Sequence, residues 1–142
     1  MQGHSDDWIQ NRILRSLGKR GLPDGHGVLG QESLREMPID LRSVADLGHV
    51  GRPVASFVGD PGIWTLLGTD AVQCCLHGQG VFVRLDDIRE VLLVDGTLVP
   101  PPPCQFIELI DRHGNKHTIW APPGPGCLGL CGVLQMLVQL QR

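Results

Sequence analysis

The chain has 142 residues, 42% apolar and 19% charged, a globular composition that excludes a disordered polypeptide. Its net charge of −3 lacks the basic excess of a duplex-binding surface and argues against nucleic acid as a main partner. No apolar run reaches the roughly 20 residues of a membrane span, and the acidic start MQGHSDDWIQ lacks the basic opening and apolar core of a signal peptide, so the expected compartment is the cytoplasm.

Ser5 is placed to cap a helix beginning at Asp6, with Asp6 and Asp7 in the first turn, where the helix dipole favours anions. Ile9, Ile13, Leu14 and Leu17 make one apolar stripe, and Gly18 follows as a terminator. Arg12, Arg15, Lys19 and Arg20 give this helix a basic flank. Trp8, Arg12 and Arg15 are therefore candidates for contact with a partner or an anionic membrane, beside the plainer reading of a helix that covers part of a core.

Residues 21–53 are broken up by glycine and proline. GLPDGHGVLGQ reads as loop; no strand precedes its glycines and no Lys-Ser/Thr follows them, so it is not a phosphate cradle. Ser33 to Met37 fits a helical turn before Pro38, and residues 39–47 fit either a short helix or a strand. Residues 1–53 are read as a helix-and-loop extension to a domain spanning 54–142.

From Val54 the texture changes to short strands: PVASFV, IWTLLG, AVQCCL, GVFVRL, REVLLV, CQFIELI and KHTIWA. Turn chemistry separates them, in GDPG, GTD, HGQG, DG and RHGN. Seven short strands with tight turns predict an antiparallel meander. The four prolines Pro100 to Pro103 favour polyproline II, as a stiff connector or as a ligand for an aromatic groove. After APPGPG, the run from Leu128 to Leu140 predicts a helix apolar nearly all round. Gly126, Gly129 and Gly132 each weaken it by about 1 kcal/mol relative to alanine, so it must gain from packing, most simply against a sheet.

The five cysteines cannot all pair internally, and the expectation is buried thiols in a reducing compartment. Adjacent Cys74 and Cys75 on a strand point to opposite faces. No nucleophile signature surrounds any His or Cys. His113 and His117 flank a Gly-Asn turn, and a zinc site there would need further ligands such as Cys104 or Cys127, with no CxxC pattern present. The expectation is a protein without catalytic residues, metal or cofactor. Asp86 and Asp87 read as a turn and solubility device, with Ile88 and Val91 tucked inward.

The stretch Arg84-Leu85-Asp86-Asp87-Ile88-Arg89-Glu90-Val91, a strand end followed by polar–Ile–x–x–Val, resembles the middle of a bacterial pleckstrin-homology-like domain. The Asp111 to Asn115 turn and the single closing helix are similar to that family as well. The resemblance covers residues 54–142 and implies an α+β fold: a curled antiparallel sheet of about seven strands with a C-terminal helix. It also implies two binding modes. Lipid binding requires a basic cluster at the loops of one barrel end, and GDPG, GTD and HGQG do not supply one, so anionic-lipid binding is expected to be weak. Protein binding through a sheet edge or the groove beside the helix is the main expectation. Trp8, Trp64 and Trp120 are its large anchors, with Arg12 and Arg15 beside them. An alternative form of the same expectation is an immunity-type inhibitor that occludes a bacterial toxin.

Overall fold

The computed structural model describes residues 4–19, 50–58, 62–76, 78–93, 106–121 and 125–140. The readings of residues 21–49 and of the proline run 100–103 lie outside them. The elements are helix α1 (Asp6–Lys19), strands β1 (Pro53–Val58), β2 (Ile63–Gly68), β3 (Ala71–Leu76) and β4 (Gln79–Arg84), a 3₁₀ turn (Leu85–Asp87), strands β5 (Ile88–Leu93), β6 (Phe106–Asp111) and β7 (Lys116–Trp120), and helix α2 (Pro125–Leu140). The order is the one the pattern predicts, an α+β protein with antiparallel strands between an N-terminal and a C-terminal helix.

The strands form two antiparallel sheets, β1-β2-β3-β4 and β5-β6-β7, where the sequence led us to expect one curled sheet. The division falls at the 3₁₀ turn. Leu85 N–H still continues the β3–β4 ladder by donating to Asp70 O at 2.9 Å, but at the far end of the turn Arg112 N–H donates to Asp87 O, so the chain leaves the first sheet and enters the second within three residues. Leu85 is buried at this corner, and Ile88 and Val91 follow it inward while Asp87, Arg89 and Glu90 are exposed. The three-residue 3₁₀ turn ends the β3–β4 ladder and re-aims the strand across the core.

One core lies between the two sheets. Val72, Cys74 and Val83 from the first meet Ile107, Leu109 and Ile119 from the second. Trp120 crosses between them: its N–H donates to Cys74 Sγ at 3.2 Å, and its carbonyl accepts from the Thr65 hydroxyl. Both bonds lie in buried surroundings, where unpaired backbone groups are costly.

Helix α2 buries Cys127, Leu130, Cys131, Val133, Leu134, Leu137 and Val138. It packs on β5 and β6 on one side and on α1 on the other, which is why it is apolar nearly all round. Ser5 caps α1 as expected, its Oγ accepting from Trp8 N–H at 3.2 Å. Ile9 and Ile13 are fully buried in the shared core, so α1 is a wall of the same core as the strands and α2. Arg52, just before β1, fixes the helix from outside, donating to Asp7 and to Gln10 Oε1 at 3.0 Å. Hydrogen bonding to Asp7 holds the Arg52 guanidinium above its usual pKa.

Gly68 is required by close approach: a Cβ there would lie 2.2 Å from the Val50 carbonyl oxygen. Gly114 has φ of 86° and turns the β6–β7 hairpin, a conformation that costs other residues strain.

Candidate functional site

The sequence candidates do not converge on one site. Trp120 is in the core, and Trp64 is buried on the opposite face of β2. Neither ring has much surface to offer a partner. Trp8 is half-buried: His4 stacks on it at 3.9 Å between ring centroids, and the Arg12 guanidinium lies 5.4 Å from its centroid. The Nε of Arg12 is buried without a hydrogen-bond partner, and Arg15 is exposed on the same helix. His4, Trp8 and Arg12 form a local stack at the start of the chain, with Arg15 further along α1, all far in sequence from the residues that line a groove elsewhere in the fold.

That groove runs between β5 and α2. It is open, has a volume of about 330 Å³, and is lined by Arg89, Glu90, Val91 and Leu92 from the strand and Gln135, Val138 and Gln139 from the helix. Its strand wall is a sheet edge, since β5 pairs only with β6 among the described residues. The two halves of that edge differ. The first carries exposed Arg89 and Glu90 and a register irregularity between Ile88 and Glu90, features that blunt an edge. The second, Val91 to Leu93, is uncharged, and Leu92 is 46% exposed.

The helix wall follows from α2's sequence. Gln135 and Gln139 interrupt an apolar run four residues apart and so lie on one flank, with Val138 beside them. Gln135 Nε2 donates to Val91 O at 3.4 Å, a long bond that a better acceptor or donor can displace. The site thus offers apolar surface, two side-chain amides and a strand edge. It holds no paired carboxylates and no nucleophile–base pair.

The other polar cluster is on the β6–β7 hairpin. Asp111 is buried and accepts from His113 N–H and Asn115 N–H, both at 2.9 Å, and lies 3.0 Å from His117 Nε2. The His117 hydrogen bond, helped by the two amides, lowers the Asp111 carboxyl from 3.8 to about 2. His113 and His117 thus serve one carboxylate, through a backbone amide and a ring nitrogen, and no metal-type group of three or more ligands occurs among the described residues. Cys74 is pushed up in pKa, chiefly by burial, so its thiol is a packing group.

The cysteines depart from the sequence reading at one point. Cys74, Cys75 and Cys131 carry thiols, but Cys127, at the start of α2, is disulfide-bonded.

Comparison with family models, with curated proteins and with solved structures returns no match. No described helix is long and apolar enough to cross a membrane.

Proposed function

We propose that this protein is a non-catalytic protein-binding module, pleckstrin-homology-like in layout, that takes an extended segment of a partner along the Val91–Leu93 half of β5. The observation that carries the reading is an uncharged strand edge opening onto a groove whose other wall is α2. Strand addition supplies affinity through main-chain hydrogen bonds, and alternate side chains of the added strand supply specificity. One set would rest on Leu92 and Val138; Gln135 and Gln139 would meet main-chain groups. Arg89 and Glu90 would stop the added strand at the charged, irregular half.

An inhibitor that occludes a toxin is one form such binding takes; an anionic-lipid site finds no comparable support. The test is selection of peptides from a random displayed library on the full chain, followed by binding measurements on Leu92→Glu and Gln139→Ala. The expected result is a family of extended peptides that bind the wild type, weakened about tenfold or more by Leu92→Glu. Selected peptides that bind Leu92→Glu as well as wild type would overturn the reading.

A further inference from the structure

Four strands end a sheet among the described residues: β1, β4, β5 and β7. Edges invite pairing with other chains and are normally guarded by prolines, bulges, charges or shortness. β1 and β7 are guarded, and β5 is guarded over its first half. β1 opens with Pro53 and has a register irregularity between Pro53 and Ala55. β5 has its irregularity and the Arg89-Glu90 pair. β7 is only five residues long and begins Lys116-His117. β4 has none of these protections. Its register with β3 is unbroken from Ala71↔Arg84 to Leu76↔Gln79, its one charge is at its end, and Phe82 at its middle is 45% exposed.

The hairpin fixes which backbone groups are available. Two residues separate Leu76 from its partner Gln79, so that pair is hydrogen-bonded and the alternation continues through Cys74↔Val81 and Val72↔Val83. The bond from Leu85 N–H to Asp70 O keeps the same alternation. The N–H and C=O groups of Gly80, Phe82 and Arg84 therefore point away from β3. Their side-chain positions share the outer face, opposite Val81 and Val83, which pack toward the core.

We propose that β4 is a self-association interface: two copies of this chain pair β4 with β4, antiparallel, about a two-fold axis at Phe82, which joins their four-stranded sheets into one continuous sheet. The strand is self-complementary in that register. Phe82 faces Phe82 of the second copy, and burial of this cross-strand aromatic pair removes an exposed aromatic from each surface. Gly80 faces Arg84 of the second copy. A Cβ at Gly80 would meet nothing within 4 Å, so the arginine chain has open space to lie in. Centring the axis on Arg84 instead would oppose like charges, and centring it on Gly80 would leave both phenylalanines outside. Each facing pair of outward residues exchanges two N–H···O bonds. The contact is isologous and closes at two copies. It uses a strand other than the β5 groove, so the two proposals stand or fall separately.

The test is sedimentation equilibrium of the full chain over a concentration series, for wild type, Phe82→Glu and Phe82→Leu, with circular dichroism as a check on folding. The expected result is a reversible monomer–dimer equilibrium, weakened about tenfold or more by Phe82→Glu and retained by Phe82→Leu. Cross-linking gives an independent reading that survives if Phe82→Glu does not fold. Facing residues of a hydrogen-bonded pair lie about 5.5 Å apart at Cα, within disulfide range, so Phe82→Cys would form a thiol-reducible covalent dimer and Arg84→Cys would not. A monomeric mass at every concentration, an open-ended assembly, a dimer indifferent to Phe82→Glu, or a Phe82→Cys chain that dimerises without cross-linking would each overturn the proposal.

Discussion

The Thr65 hydroxyl donates to the Trp120 carbonyl oxygen and so ties β2 of one sheet to the last residue of β7 in the other. Thr65 is fully buried, so its hydroxyl has no water to turn to. Thr65→Val keeps the shape and removes the donor, leaving a buried carbonyl without this bond. The expected cost is about 1–3 kcal/mol, read from denaturant unfolding. A variant as stable as wild type would show that this bond does not help to hold the two sheets together.

Helix α1 should behave as part of the core. Ile13 is fully buried, and Ile13→Ala is expected to lower unfolding free energy by about 2–5 kcal/mol in the same single transition. Arg15→Ala, on the exposed side of the same helix, should have little effect. A separate early transition for α1 would mean that residues 1–53 fold as an appendage.

The β6–β7 turn predicts acid sensitivity of known sign. The Asp111 carboxyl lies lower in the folded protein than in the unfolded chain, so the unfolded chain binds its proton more readily. The stabilisation from this carboxylate is complete above the ordinary value of 3.8 and is lost as pH falls toward about 2. A carbon-detected NMR titration of Asp111 should report that low midpoint. His117→Ala removes the largest cause and should move the midpoint up toward the ordinary value.

Thiol chemistry should divide the cysteines. With five cysteines, Cys127 in a disulfide and thiols at Cys74, Cys75 and Cys131, the unfolded unreduced chain should titrate fewer than five thiols and the reduced chain all five. In the folded protein Cys75, half-exposed, should react first, while buried Cys74 and Cys131 wait for unfolding. Five thiols without reduction would remove the covalent tie on α2. Such a bond persists where the surroundings are oxidising, so the count also bears on the expectation of a cytoplasmic protein.

Local structure was legible in the sequence because its causes are local. Ser5 caps α1 through its neighbour three residues on, and the glycines at 62, 78 and 114 mark turns by their positive φ. Strand positions followed from alternation and turn chemistry to within about two residues. Long-range choices were hidden. Nothing near Leu85 announces that β4 and β5 part company, so that each ends a sheet among the described residues. The tryptophans offered size without address: Trp64 and Trp120 are buried by residues far away in sequence. The β5–α2 groove did leave a trace, the amides of Gln135 and Gln139 one turn apart in an apolar helix. That trace gains meaning only once Leu92 is known to lie opposite.

The most direct measurement of the groove's role is residue-resolved amide hydrogen exchange of the full chain, with and without a library-selected peptide. The account predicts slowed exchange at the Val91–Leu93 edge and along the Gln135–Gln139 turn of α2, with β1 and β7 unchanged. Protection that falls elsewhere and leaves β5 exchanging as in the free protein would contradict it.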